Sequence, residues 1–381
     1  MISQKAKKLE KLIHVNSGAL PVDLSTPSLS SKDINNVVKE LRKNNLAIGE
    51  SKKKFLDLLK KYIKSKFVLL TSNGTVSLYA ALLADNTKYN DEVLVPSFNY
   101  VASVNAILSI NAIPHFVDSN LNDLGVDFEK LDSYLSKNTI FKKKKCINLK
   151  TKRQIKSLVI THVFGHPCNL DHAKRLCKKY NLSLIEDASE ALGSFFKKKH
   201  LGTFGKFGVL SFNGNKIITT GGGGAIITNN KKNYEKLIKI IDNGKIPHDY
   251  EFVYGSHGLN LKMPNINAAI GINQLKNIEK LVQLRRKLFK KYNNLSSKDL
   301  ILIKEPKFSR SNYWLQTIKV ESKKNKLKLI KYLRGKKIMV RSSWKPLHLF
   351  NHLKKFPKMK MDNAVKIYDT ILNIPSNLKS N

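Results

Sequence analysis

The chain has few cysteines, and it lacks both a long apolar segment and a leader-like N-terminus. Its three cysteines, Cys146, Cys168 and Cys177, form no CxxC pair, which argues against a disulfide framework or a structural zinc site. No run of about twenty apolar residues is present, so we expect no association with a membrane. The N-terminal MISQKAKKLEKLIHV contains no uninterrupted apolar core of the kind that a secretory signal needs. We therefore expect a soluble protein of the reducing cytoplasm.

Arginine is also scarce, although the chain is strongly basic. Lys plus Arg number 69 against 28 Asp plus Glu, a net charge of +41, and only eight of the 69 are arginines. A dedicated nucleic-acid-binding protein relies on arginine for planar, bidentate contacts, so we expect no specific nucleic-acid partner. A non-catalytic basic protein that binds anions or nucleic acid remains an alternative, because net charge governs association and not fold.

The order of hydrophobic patterns predicts an α/β fold. Apolar runs typical of strands occur at 67–71, 92–96, 114–118, 157–164 and 182–187, and helical spacing occurs at 34–46, 55–63, 76–84, 101–110 and 171–180. Strands that alternate with helices of about ten residues favour a mostly parallel sheet covered on both faces.

Beyond about residue 245 this alternation fades. Helices are predicted at 267–275 and 279–292, and strands at 314–320 and 337–341. We therefore expect a large domain over 1–245, with a basic amphipathic lead-in at 1–22, and a smaller α+β domain over 246–381. The four lysines at 142–145 lie in the connection 135–156, which we interpret as a solvated loop.

Ligands in such sheets collect at the carboxyl ends of the strands, where several polar residues follow the predicted strands. The turn 72–75 opens a helix, whose free N–H groups and dipole favour a phosphate. Gly74 would allow close approach of the backbone, and Thr75 would add a hydroxyl. An ordinary helix N-cap is the alternative.

An aromatic residue and a carboxylate follow two other strands. Phe98 or Tyr100, after strand 92–96, could lie flat on a planar ring, with core packing as the alternative. Asp187 ends strand 182–187, where a buried carboxylate needs a partner such as a protonated heterocyclic nitrogen. A helix N-cap is again the alternative.

Lys216 stands just before four consecutive glycines. Its apolar and small neighbours make it a candidate for partial burial, as an amine that forms a Schiff base requires; a surface charge is the alternative. The order of phosphate turn, aromatic, carboxylate and lysine suits pyridoxal 5'-phosphate.

The segments EDASEALGS (186–194), GTFG (202–205) and SFNGNKIITTG (211–221) resemble the DegT/DnrJ/StrS family of pyridoxal-phosphate-dependent nucleotide-sugar aminotransferases of fold type I. The similarity covers about residues 23–376. The stretch 211–224, with 165–167, 263–269 and 310–314, looks closest to the branch that aminates C4 of 4-keto-6-deoxy-2-acetamido sugars, in legionaminic-acid- and bacillosamine-type pathways. The resemblance implies transfer of an amino group, by family analogy from L-glutamate, to such a nucleotide-linked sugar.

The resemblance also implies the roles of individual residues. Lys216 would bind the cofactor covalently and move the proton. Gly74, Thr75 and Ser211 would hold the phosphate, and the remaining positions that match the family's cofactor contacts are Tyr100 stacked on the ring, Asp187 at the ring nitrogen, Glu190 near the 3-hydroxyl, and Asn260 at the phosphate of the partner subunit. The last of these roles requires a homodimer. The stretch 341–348 begins at Arg341 and ends at His348, and it matches a family motif near the nucleotide-sugar site.

Some positions depart from the family pattern. Asn99 stands where Thr is commoner, Leu259 replaces the usual Tyr, and Lys262 stands where Arg is usual. The last change matters most, because an ammonium does not reproduce a guanidinium fork.

Two further hypotheses concern dehydration and metal binding. Members of the family that dehydrate sugars carry a histidine at the position of Lys216, so dehydration is the weaker alternative. His162, His166 and His257 are irregularly spaced and have no paired acidic cluster, so we expect no metal site.

Overall fold

The computed structural model describes residues 2–17 and 20–377. The helices in these ranges are α1 (Ile2–Ser17), α2 (Ser31–Arg42), α3 (Glu50–Ile63), α4 (Gly74–Ala84), α5 (Ala102–Ser109), α6 (Phe128–Asn138), α7 (Leu170–Lys179), α8 (Lys231–Ile241), α9 (Asn265–Lys276), α10 (Ile278–Asn293), α11 (Lys323–Gly335) and α12 (Asp362–Thr370). The strands are β1 (Phe67–Thr71), β2 (Glu92–Pro96), β3 (Ile113–Val117), β4 (Thr139–Lys142), β5 (Lys145–Asn148), β6 (Gln154–Thr161), β7 (Ser183–Asp187), β8 (Phe195–Phe196), β9 (Lys199–His200), β10 (Phe207–Ser211), β11 (Gly224–Thr228), β12 (Lys245–Ile246), β13 (Val253–Tyr254), β14 (Leu300–Leu302), β15 (Ser309–Arg310), β16 (Gln316–Val320), β17 (Arg341–Ser342) and β18 (Ile371–Ile374).

The large sheet has the order β1-β11-β10-β7-β6-β2-β3, with β5 beside β6 and β4 beside β5. The pairs β10–β7, β7–β6, β6–β2 and β2–β3 are parallel, and β11 runs antiparallel to both β1 and β10. The strands β1, β2, β7 and β10 therefore point the same way, and their carboxyl ends lie at one edge of the sheet.

The strands of this sheet are covered on both faces. All five residues of β2 and all five of β10 are buried, although successive side chains of a strand point to opposite faces. Near-continuous apolar runs of this kind are typical of parallel sheets inside α/β proteins. The predicted α/β fold with a mostly parallel sheet is confirmed.

A second, antiparallel sheet lies in the C-terminal part, with the order β14-β16-β18-β17. Its apolar core includes Ala6, Leu9 and Ile13 of α1, so the predicted lead-in forms a helix that packs with the C-terminal sheet. In contrast, α9 packs against α2 and α3, and it contributes Ile272 to the core of the large sheet. The division between residues 245 and 246 stays a prediction.

We predicted a solvated loop for the connection 135–156, but the structure contains a β-hairpin there. The strands β4 and β5 pair antiparallel, and β5 continues onto β6. Lys143 and Lys144 form the tip with positive φ angles of 49° and 62°. The four lysines are exposed, which agrees with the solvated position that the charge run predicts.

The strand predicted at 337–341 is shorter and later than expected. It begins at Arg341, because the preceding backbone pairs elsewhere: Val22 N–H donates to the Lys337 carbonyl and Met339 N–H donates to the Val22 carbonyl. None of the described helices is long and apolar enough to cross a bilayer.

Candidate active site

The predicted site residues come from segments that follow the aligned carboxyl ends of four strands. Gly74 follows β1, Tyr100 follows β2, Asp187 ends β7, and Lys216 follows β10. Because these ends share one edge of the sheet, residues distant in sequence are brought together there.

The N-terminus of α4 forms a small cradle with the segments after β7 and β10. A Cβ atom added to Gly74 would lie 3.0 Å from the Ser211 Cβ and 3.2 Å from the Ser189 Oγ. Asn73 caps the helix, since its side chain accepts a hydrogen bond of 3.0 Å from the Val76 N–H. The helix N-cap is thus Asn73, while Gly74 lines the cradle, and the phosphate site at this turn stays a prediction. Sequence reasoning did not select Ser189, although it lies in the EDASEALGS segment.

The backbone donors of this cradle face an open position. Among the described residues, no acceptor is hydrogen-bonded to the N–H of Gly74 or of Thr75, and Thr75 is exposed. Unpaired N–H groups in the first turn of a helix, together with the helix dipole, favour an anion.

Asp187 is buried and held by two donors. The Ser103 hydroxyl donates to its Oδ2 over 2.8 Å, and the Ser189 N–H donates to its Oδ1 over 3.1 Å. Asn99 supports this arrangement, because its amide donates to the Ser103 Oγ over 3.1 Å. The departure from Thr at position 99 therefore preserves an ordered carboxylate. Tyr100, next in the chain, is 59% exposed, so its ring is not part of the core and is free to stack on a ligand.

Lys216 and Glu190 form the buried centre of the site. The Lys216 side chain is 13% exposed, and its Nζ lies 3.7 Å from the Glu190 Oε1, so Lys216 is not the surface charge of the alternative interpretation. Burial raises the pKa of Glu190 to about 7, against the opposing effects of Lys216 and of the Phe164 N–H, which donates to Oε2 over 2.8 Å. The proximity of Asp187 adds to the increase. Glu190 can therefore hold or release a proton near neutral pH.

Trp314 is a part of the site to which sequence reasoning gave no individual role. The Lys216 Nζ lies over its ring, 4.0 Å from the centroid. Asn312 anchors this segment, because its amide donates to the carbonyls of Glu190 and Leu192 and its Oδ1 accepts from the Trp314 N–H. The signal available in the sequence was the segment RSNYW (310–314), which indicated only a resemblance to the family.

The nucleotide-sugar candidates lie in different environments. His348 is buried, and its Nδ1 lies 2.6 Å from the Ser97 Oγ, just past the end of β2. Burial, aided by Lys358, lowers the pKa of His348. Trp344, from the same stretch, packs against Phe98 of the apolar core beside the site. Arg341 is exposed on β17, and the structure records no contact that joins it to the other site residues.

Asn260 lies on the surface, and its contact with the phosphate of the partner subunit stays a prediction. It is exposed, in a segment whose Leu261 carbonyl accepts from the Ser72 N–H over 2.9 Å. Lys262 pairs with Asp242 at 2.5 Å, which gives the substituted ammonium a partner within its own chain.

The three histidines considered as metal ligands are dispersed. His162 pairs with Glu186 at 3.1 Å inside the core, His166 is buried, and His257 is exposed. Within residues 2–17 and 20–377, no three His, Cys, Asp or Glu side chains are grouped so that they could hold a metal ion.

The site fits pyridoxal phosphate by three independent features. The cradle at Gly74 leaves the space that a Cβ would fill beside two hydroxyls, where a phosphate would be held. The ordered Asp187 carboxylate offers a counter-charge for a protonated ring nitrogen. The Lys216 amine is partly buried beside Glu190 and Trp314, as an amine that binds an aldehyde requires.

A family model matches nearly the whole chain. Residues 27–380 match the model of the DegT/DnrJ/EryC1/StrS aminotransferase family. The chain belongs to this family. The predicted pyridoxal-phosphate-dependent aminotransferase is thereby confirmed, and the non-catalytic alternative is not needed to explain the chain.

Individual relatives of this aminotransferase agree with the family match. The GDP-perosamine synthase of Escherichia coli O157:H7 is 32% identical over 283 residues, which are 74% of this chain and 73% of the relative. The UDP-4-amino-4,6-dideoxy-N-acetyl-beta-L-altrosamine transaminase of Campylobacter jejuni (serotype O:23/36, strain 81-176) is 28% identical over 368 residues, 94% of this chain and 93% of the relative. The solved PLP form of the putative sugar aminotransferase Spr1654 from Streptococcus pneumoniae has the same fold, with a TM-score of 0.84, 21% identity and 94% coverage of each chain.

We predict that Gly74→Ala weakens cofactor binding about tenfold or more. The added methyl group would occupy the cradle between Ser211 and Ser189, where overpacking costs about 1–3 kcal/mol. Gly214→Ala is the matched control, because an added Cβ there meets no atom within 4 Å among the described residues. The measurement is titration of cofactor-free protein with pyridoxamine 5'-phosphate, which cannot bond to Lys216. Equal affinities for the two variants would contradict a phosphate cradle at Gly74.

We also predict that Glu190 makes the stability of the cofactor-free protein depend on pH. Its pKa rises from the usual 4.5 to about 7 on folding, so the folded state binds the proton more tightly and stability falls as the pH rises through this range. Glu190→Gln is neutral throughout, so it should raise the thermal midpoint by a few degrees more at pH 8 than at pH 5. Glu235→Gln, at an exposed helix position, is the control. Equal shifts of the Glu190 variant at both pH values would exclude this titration.

Proposed function

We propose that this aminotransferase moves an amino group from L-glutamate to C4 of a nucleotide-linked 4-keto-6-deoxy-2-acetamido sugar, in a legionaminic-acid- or bacillosamine-type pathway. The observation that carries the proposal is the Lys216 amine, which lies between Glu190 and Trp314, with the Asp187 carboxylate close enough to raise the pKa of Glu190. Retention of lysine at this position favours amino transfer over the dehydration that histidine-bearing members perform.

Each residue of the site has a separate role in the proposed reaction. Gly74, Thr75 and Ser211 would hold the phosphate. When bound, pyridoxal phosphate supplies an electron sink. The Lys216 Nζ would hold the cofactor and carry the proton between the reacting carbons, and Glu190 can take up or release a proton 3.7 Å away. The Asp187 carboxylate, fixed by Ser103, would keep the ring nitrogen protonated.

The substrate class is supported by the relatives and by the motifs. The name of the Campylobacter relative describes a 4-amino-4,6-dideoxy sugar with an N-acetyl group, which agrees with the branch that residues 211–224 resemble. The two relatives carry UDP and GDP in their names, so the nucleotide is left open. We place Arg341 and His348 at the nucleotide-sugar subsite as part of the proposal. A positively charged protein would attract the anionic diphosphate, and this attraction weakens as salt rises.

We propose a homodimer in which Asn260 reaches the phosphate of the partner subunit. Asn260 is exposed, and it follows a hairpin that presents Tyr250 and Phe252 to solvent with more than four-fifths of each side chain exposed. Large aromatic residues clustered in this way are typical of interfaces.

Because the three cysteines are free and buried, we place the enzyme in the reducing cytoplasm.

We predict that Lys216→Ala abolishes amino transfer, since no other described amine lies beside Glu190. The test incubates enzyme, L-glutamate and UDP- or GDP-linked 4-keto sugars, with and without a 2-acetamido group, and reads the product by mass. Transamination exchanges the keto oxygen for an amine, whereas dehydration removes water. Lys231→Ala, on the exposed face of α8, serves as the control. Turnover by Lys216→Ala, or a product that has lost water, would contradict the proposal.

The shared site predicts complementation between two inactive variants. Asn260→Ala and Lys216→Ala homodimers should each be strongly impaired. Random reassortment makes about half of the dimers mixed, and each mixed dimer has one intact site out of two, so roughly a quarter of the wild-type activity should return. The measurement is activity after the two proteins are unfolded and refolded together. If Asn260 acts within its own subunit, mixing restores nothing.

A further inference from the structure

The loop that carries Lys216 has little support on one side. Residues 212–223 join β10 to β11, and Asn213 and Asn215 are exposed. The space beside Gly214 is open, because an added Cβ would meet no atom within 4 Å among the described residues. The position of Lys216 therefore depends on contacts from the opposite side of the loop.

Two donors hold the peptide unit that precedes Lys216. The Asn215 carbonyl accepts a hydrogen bond of 2.7 Å from the Trp314 Nε1 and one of 3.2 Å from the Ser25 Oγ. Because the peptide bond is planar, fixing this carbonyl also restricts the N–H and Cα of Lys216. Ser25 lies before α2, 190 residues from Asn215 along the chain, and Trp314 lies before β16, 99 residues from it.

The same tryptophan holds the end of the Lys216 side chain. Its ring faces Nζ at 4.0 Å, and the Glu190 Oε1 lies 3.7 Å from the same atom. An aromatic face attracts a cationic amine, and a rigid ring also limits the rotamers of a long, flexible side chain. One residue thus fixes both the backbone and the amine of Lys216.

A buried arginine in turn fixes both donors. Arg285 of α10 donates to the Trp314 carbonyl over 3.3 Å, to the Ser25 Oγ over 3.4 Å, and to the Ser376 carbonyl. Within the described residues it forms no salt bridge, and burial lowers its pKa to about 10. A buried guanidinium is costly unless its donors are satisfied, so its three acceptors must stay within reach of the planar fork.

We propose that Trp314 is a positioning residue for Lys216, itself held by Arg285 and assisted by Ser25, which donates to the same Asn215 carbonyl. The proposal rests on the function above, because the amine that is positioned is the one that binds the cofactor. Attachment joins Nζ to the aldehyde carbon and releases one water. A fixed amine speeds this bond formation by prior orientation, whereas the phosphate cradle at Gly74 provides non-covalent affinity without contact with Trp314. Loss of Trp314 should therefore slow attachment and leave non-covalent affinity unchanged.

The test measures these two quantities separately on the full-length protein after removal of the cofactor. Attachment of added pyridoxal phosphate is followed by absorbance in a stopped-flow instrument, and non-covalent affinity is measured by titration with pyridoxamine 5'-phosphate. Trp314→Phe keeps a ring but loses the N–H, so attachment should slow about 2–10-fold. Trp314→Leu loses both and should slow it about tenfold or more. The affinity for pyridoxamine 5'-phosphate should stay within about threefold of wild type.

A second variant covers the case in which a change at buried Trp314 impairs folding. Ser25→Ala removes the hydrogen bond to the Asn215 carbonyl and one acceptor of Arg285, both at a half-buried position, and it should slow attachment about 2–10-fold. Thr26→Ala, at the exposed neighbouring position, is its matched control and should attach the cofactor at the wild-type rate. Thermal midpoints establish that the variants compared are folded.

The outcomes separate this proposal from the one on which it rests. Wild-type protein that binds pyridoxamine 5'-phosphate but never attaches pyridoxal phosphate would overturn the proposed function. Wild-type attachment matched in rate by Trp314→Leu and Ser25→Ala would overturn the positioning role alone. A parallel fall in attachment and in affinity for pyridoxamine 5'-phosphate would also overturn it, since Trp314 would then shape the pocket as a whole.

Discussion

The site depends on one constraint: a lysine amine has to be held, partly buried, at the edge where four strands end. A flexible side chain on a loop does not stay in one place without partners on more than one side. Here the Lys216 Nζ lies 3.7 Å from the Glu190 Oε1 and 4.0 Å from the centroid of the Trp314 ring. The large sheet supplies the first partner and the C-terminal part supplies the second, so both parts of the chain are needed to build the site.

The buried carboxylates at this edge differ in how many donors they have, and this difference separates structural from reactive groups. Although burial alone would raise the pKa of Glu186, hydrogen bonds from His162 and from the backbone of Gly202 and Gly205 hold that pKa below its usual range. Glu190 has a single backbone donor and the nearby Lys216 amine, and burial raises its pKa to about 7. Glu186 is thus a fixed charge that ties β7 to the following turns, whereas Glu190 can change its protonation at neutral pH.

The sequence predicts those parts of the site that local pattern and strand direction determine. Gly74 follows one predicted strand and Asp187 ends another, and parallel strands bring such positions to one edge. Lys216 was found by its apolar and small neighbours, because the strand β10 that precedes it was not predicted. Trp314 and Ser25 could not be assigned in this way, because their contacts with the Lys216 loop join segments that nothing in the local pattern relates. The hairpin at β4 and β5 was missed for a different reason: a run of lysines is typical of a solvated loop, but the exposed tip and edge of a hairpin accommodate the same charges.

The most direct test of this account is to identify which of the 61 lysines carries the cofactor. Purified protein loaded with pyridoxal phosphate is reduced with borohydride, digested, and mapped by mass spectrometry. The structure predicts that the added mass lies on the peptide that contains Lys216, in about one equivalent per chain. Modification mainly at another lysine, or spread over many surface lysines, would contradict the claim that Lys216, between Glu190 and Trp314, is the centre of the site.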